Sequence, residues 1–131
     1  MTYYSSSEEF YTVMQAVVNR LATESSADKL DRKMRLTIQV TDPAATFCIN
    51  TRVFPPQATF GAACKGNDLG IKTSADAIHA MWTGRLGVRA ALGQGKIQVQ
   101  GNPLKALALK PLFDEAKGVY PTVLTEMGRE P

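Results

Sequence analysis

Thr83-Gly84-Arg85-Leu86, followed after one short helical segment by Gly95-Lys96-Ile97-Gln98-Val99-Gln100-Gly101-Asn102, is the stretch that sets the plan of this chain. A Thr-Gly-basic turn ends one helix. A glycine then opens a strand in which Ile97 and Val99 alternate with Gln98 and Gln100, the period of a half-buried strand. Asn102-Pro103 reads as a helix start, an N-cap residue followed by proline at the first helical position. Gly-Lys-x-x-x-x-Gly-Asn is not a phosphate-binding loop, because such a loop needs Lys beside Ser or Thr at a helix start, and Lys96 enters a strand.

Upstream, Ser74 is placed to cap a helix with Asp76 in its first turn, and Ile78, Met81 and Trp82 give that helix an apolar side until Gly84. A second short helix spans about Val88 to Leu92. Met34, Leu36, Ile38 and Val40 alternate with polar residues as a first strand, and Asp42-Pro43 marks a turn. Phe47, Ile49, Thr51 and Val53 continue as a second strand, stopped by Pro55-Pro56. Ala58 to Cys64 is a third run, and a hairpin-type loop from Lys65 to Asp68 leads to a fourth strand at Leu69, Ile71 and Thr73. Turn-length links between four strands predict an antiparallel meander.

At the N-terminus, Ser5-x-x-Glu8 and Ser6-x-x-Glu9 both fit a capping box. Phe10, Val13, Met14, Val17 and Leu21 then recur at helical steps, one face of a helix of about fifteen residues. The polar run from Thr23 to Asp31 reads as a linker. At the other end Leu104, Leu107, Ala108 and Leu112 form a helix face that Pro111 should end or kink. Beyond it, Phe113, Tyr120, Val123, Leu124 and Met127 surround Gly118 and Pro121, which predicts one or two short amphipathic helices. The expected fold class is α+β: a five-stranded, mostly antiparallel sheet covered on one face by helices.

With 131 residues the chain is read as one domain over 1–131. A composition of 44% hydrophobic and 21% charged residues is that of a globular protein, and the longest apolar runs fall short of the ~20 residues of a membrane span. The formal charge of +3 comes from 15 basic residues scattered among 12 acids, which argues against nucleic acid as partner. It leaves a weak attraction to anionic membrane surfaces and a transient contact with them. The start of the chain lacks a basic region leading into an apolar one, so cytoplasm is the expected location. Cys48 and Cys64 lack CxxC spacing and read as free thiols. No His, Cys, Asp and Glu cluster has metal-ligand spacing, so neither metal nor cofactor is expected.

From Asp68 to Leu112 the order of motifs resembles the sterol carrier protein 2 (SCP-2) family. Asp68-Leu69-Gly70-Ile71-Lys72-Thr73 is similar to the strand before that family's helix pair, and Ser74 to Trp82 to its first helix. Thr83-Gly84-Arg85-Leu86 stands at its Thr-Gly-Lys-like turn, with Arg85 in place of the usual Lys. Gly95 to Asn102 and Leu104 to Leu109 are similar to its next strand and helix. The resemblance implies a non-enzymatic domain that holds a lipid, such as a fatty acid, acyl-CoA or sterol, in an apolar tunnel. Burying roughly 300 Å² of apolar ligand surface gains at most about 7–8 kcal/mol before association costs, enough for micromolar binding without a hydrogen bond.

The candidate tunnel lining is Phe10, Met14, Met81, Trp82, Leu86, Leu92, Ile97, Val99, Leu104 and Leu107, joined by Phe113, Tyr120 and Leu124 from the tail. The same residues would equally make an ordinary core. The tail from 112 to 131, interrupted by glycine and proline, is the candidate lid. The alternative is an enzyme or substrate chaperone of a specialised biosynthetic pathway using the same cavity. Its first candidates are Asp76 and His79, which one helical turn would bring together as a carboxylate and a base. The competing reading of His79 is a partly exposed surface histidine.

Overall fold

The computed structural model describes residues 3–24, 34–52, 57–66, 68–101 and 110–130. Ser6 Oγ accepts the Glu9 N–H at 3.2 Å, and the Glu9 carboxylate accepts the Ser5 N–H at 3.3 Å, so both serines share the capping of the first helix. That helix, α1, spans Ser7–Glu24 and buries Phe10, Val13, Met14, Val17 and Leu21, the face its periodicity predicts.

Five strands follow the alternation: β1 (Arg35–Thr41), β2 (Ala45–Asn50), β3 (Gln57–Phe60), β4 (Leu69–Ser74) and β5 (Ile97–Gln100). They form one sheet in the order β3-β2-β1-β4-β5. The first three strands make the expected meander, but β4 is not its next member. It pairs with β1 in parallel, with Ile38 opposite Ile71, and β5 then pairs antiparallel with β4. A parallel pair needs a crossover rather than a hairpin. Here the segment 61–66 crosses the sheet: the Gly61 N–H reaches Thr46 O at 2.7 Å, the Cys64 N–H reaches Thr37 Oγ1 at 3.0 Å, and the Asp68 N–H reaches Arg35 O at 2.9 Å.

The crossing also corrects the reading of the cysteines. Cys48 lies on the sheet face opposite to Phe47 and Ile49, and Cys64 passes over that face. The two form a disulfide with a Cα–Cα separation of 5.0 Å. Local spacing could not show this, because the pairing depends on where the crossover runs.

Ser74 Oγ accepts the Ala77 N–H at 3.0 Å and caps α2 (Ala75–Trp82), as expected. At the helix end Thr83 Oγ1 donates to His79 O at 2.7 Å, and the Arg85 N–H returns to Ala80 O at 2.8 Å. Gly84 makes this reversal at φ +81°, where an L side chain is strained. After α3 (Val88–Gly93), β5 ends at Gly101, with φ +121°, where a Cβ would press on Asp68 O and Leu69 Cδ1 at 3.3 Å. The predicted helix start at Asn102-Pro103 and the following turns lie outside the described residues.

The tail departs from expectation. It is one helix, α4 (Lys110–Glu126), running through Gly118 and Pro121. Pro111 stands in its first turn, where a missing N–H costs nothing. An interior proline costs about 3 kcal/mol. The burial of Ala116, Tyr120, Val123 and Leu124 around Pro121 offsets it. Helix α4 packs on α1 and α2. The described chain is thus α+β, with helices over one face of a five-stranded, mostly antiparallel sheet.

Candidate functional site

Alternation sends Leu36, Ile38 and Val40 of β1 to the helix side, with Phe47 and Ile49 of β2, Leu69 and Ile71 of β4, and Ile97 of β5; all are buried. Opposite them stand Met14 and Val17 of α1, Trp82 of α2, and Phe113 and Ala116 of α4. Between the layers lies a gap of about 20 Å³, walled by carbon and sulfur groups and roomy enough for about one water. An acyl chain therefore enters only if the layers part.

Next to this gap is a polar cluster that joins both ends of the chain. His79, only 7% exposed, places Nδ1 at 2.8 Å from the Tyr120 hydroxyl, which in turn hydrogen-bonds the Tyr4 hydroxyl. Arg85 Nη1 approaches His79 Nε2 at 3.5 Å. A guanidinium only donates, so Nε2 is the acceptor and Nδ1–H donates to Tyr120. Tyr3 stacks on the imidazole, ring centroids 3.8 Å apart, and Arg129 lies over the rings of Tyr3 and Tyr4 while pairing with Glu9. The Arg129 Nε is buried without a hydrogen-bond partner among the described residues.

Burial, and then the Arg85 guanidinium, lower the proton affinity of His79 below its ordinary value. Burial pushes the phenols of Tyr4 and Tyr120 well above theirs. The Ser5 hydroxyl, followed by Arg129, holds the Glu9 carboxyl low. At neutral pH the His79, Tyr120 and Tyr4 chain is uncharged, and it clamps α2, α4 and the N-terminal residues together. It contains no ionised nucleophile.

The Asp76–His79 pair is not formed. Asp76 Oδ1 accepts the Tyr3 N–H at 2.8 Å, and His79 faces Tyr120 from a buried position rather than a partly exposed one. The α2 backbone turns the two side chains to different neighbours, which sequence spacing alone could not resolve. Sequence reasoning missed Tyr3, Tyr4, Glu9 and Arg129 as parts of one cluster. The adjacent tyrosines ahead of the capping box were the available signal; Arg129 offered none. No group of three or more His, Cys, Asp or Glu is arranged to hold a metal among the described residues.

Of the candidate lining residues, Met14, Trp82 and Phe113 border the interior gap. Phe10, Met81, Ile97, Tyr120 and Leu124 are buried in the surrounding core. Leu86 and Val99 pack at its margin, whereas Leu92 is 42% exposed on α3. Leu104 and Leu107 lie outside the described residues. Met127 is exposed at the end of the tail. No helix among the described residues is long and apolar enough to cross a membrane.

Neither a protein-family model nor a curated protein matches this sequence. Solved structures do. The sterol carrier protein domain 2 of Helicoverpa armigera superposes with a TM-score of 0.67 at 21% identity, over 82% of this chain and 87% of that one. A palmitated sterol carrier protein 2-like protein from Aedes aegypti gives 0.62 at 15% identity, over 78% and 91%. The sec-alkylsulfatase Pisa1 from a Pseudomonas species gives 0.58 at 19% identity, over 75% of this chain but 14% of the enzyme. The chain has the SCP-2-like fold.

Proposed function

We propose that this protein is a carrier rather than an enzyme. It holds an apolar small molecule, such as a fatty acid, an acyl thioester or a sterol, between its helix layer and its sheet, and transfers or sequesters it. The observation that carries this reading is the interior gap itself. Its wall of Met14, Val17, Leu36, Ile38, Trp82 and Phe113 offers no polar atom for chemistry, and Met14 adapts readily to a guest's shape. A neighbour of the same fold was solved in palmitated form, which adds support. Residues 112–131 act as the lid, with Phe113, Tyr120 and Leu124 on its inner side. Opening it breaks apolar contacts, and the entering chain restores them. The working place is aqueous. The Cys48–Cys64 bond favours a compartment less reducing than the cytoplasm expected from the sequence.

Trp82 is the only tryptophan, borders the gap and lies 5.3 Å from the Tyr120 ring, centroid to centroid. Titrating delipidated protein with hexadecanoate should change its emission saturably in the micromolar range, with one chain bound per protein. Unchanged emission and no bound ligand up to millimolar concentration would sink the carrier reading.

A further inference from the structure

A second cavity lies away from the interior gap, at the end of the sheet where β4 passes into α2. It is an open cleft of about 490 Å³, within the range of small-molecule sites. The strand register fixes its polar side. Lys72 lies opposite Gln98 on the sheet face that the helices leave uncovered, and Lys96, just ahead of β5, lines the same cleft. Two lysines lining one cleft, each on a long flexible stem, can converge on a single oxyanion. Among the described residues no carboxylate pairs with either lysine. The single acid on the cleft wall, Asp76, turns Oδ1 to the Tyr3 N–H. The cleft therefore holds two cations against one carboxylate.

The remaining groups fit the same ligand. Ser74 Oγ accepts the Ala77 N–H, which leaves its own hydrogen free to donate. The far wall is apolar, made by Ala77, Ala80 and Leu86. Thr73, whose strand position faces the helix side, also borders the cleft, so the cleft reaches the edge of the interior layer. Donors on one side and hydrocarbon on the other describe a site for an amphiphile.

We propose that this cleft receives the anionic head, a carboxylate or a phosphate, of the carried lipid, with Lys72 and Lys96 as its two cationic contacts. The assignment rests on the carrier reading and adds a ligand class to it: charged amphiphiles are preferred over neutral ones. The head sits between the lysines, and the first methylenes lie along Ala80 and Leu86. Because both lysines are exposed, the attraction is screened by salt.

The test compares hexadecanoate with hexadecan-1-ol, which has the same chain and no charge, on the full chain and on the double variant Lys72→Gln, Lys96→Gln. Both positions are on the surface, so the variant keeps the fold, checked by its denaturation midpoint. Hexadecanoate affinity should fall about tenfold while the alcohol's is unchanged. Inorganic phosphate should compete with hexadecanoate on the native chain and fail to compete on the variant. Equal hexadecanoate affinity for both proteins overturns the head assignment and leaves the carrier reading standing. Phosphate binding that depends on the lysines, beside hexadecanoate binding that does not, assigns the cleft to free phosphate and overturns the lipid-head assignment. If the native chain binds neither amphiphile, the carrier reading fails and the assignment falls with it.

Discussion

A proton on His79 Nε2 would point at Arg85, a group that can only donate. Burial first, then Arg85, disfavour that proton, Arg129 adds to the effect, and Asp76 opposes it. From the other elements, Tyr3 stacks on the ring, and the Tyr120 phenol, kept neutral by burial, hydrogen-bonds Nδ1. The folded state therefore binds this proton more weakly than the unfolded chain, whose imidazole has the ordinary value of 6.5. The stability tied to neutral His79 is complete above that value and is lost as pH falls through the lower folded value. The Glu9 carboxyl, also held low, contributes in a separate window below its ordinary 4.5. Denaturant unfolding between pH 7.5 and pH 5 should show falling stability in the native chain and a flatter profile in His79→Gln. Identical slopes would contradict the role given to His79. None of this was legible from Asp76 and His79 as a spaced pair, because Tyr3, Tyr120 and Arg129, which surround the ring with Arg85, lie far from it in sequence.

At the scale of elements, local patterns carried α1, the strand alternation and the Ser74 cap, since each depends on near neighbours. They failed where long-range packing decides. The parallel placement of β4 beside β1, the survival of α4 through Pro121, and the joining of Cys48 to Cys64 all depend on what covers each face. The disulfide ties the crossing segment to β2 and closes a loop of 16 residues. Loops of that size give about 3 kcal/mol of stabilisation from lost unfolded-state freedom. Replacing both cysteines by serine should lower unfolding free energy by about that amount, measured by denaturant titration, and leave hexadecanoate binding intact because the bridge lies on the face away from the gap. A loss of lipid binding in a variant that remains folded would contradict the placement of the acyl chain in the interior gap.

For the whole molecule, the Thr83-Gly84 turn and the Gly95 to Gly101 strand position α2 and β5, and so frame both cavities without lining the interior one. Their motif order was legible as a fold. The contrast between the two cavities was not: the interior gap is apolar and nearly closed, while the open cleft carries the lysines. A chain entering the interior has to displace the contacts among Met14, Trp82 and Phe113 and lift the clamp of Tyr120 on His79. The most direct measurement is a set of intermolecular NMR contacts between the methylenes of bound hexadecanoate and assigned side chains. Contacts to Met14, Leu36, Ile38 and Trp82 are the predicted result; contacts confined to exposed side chains, with those four silent, would contradict it.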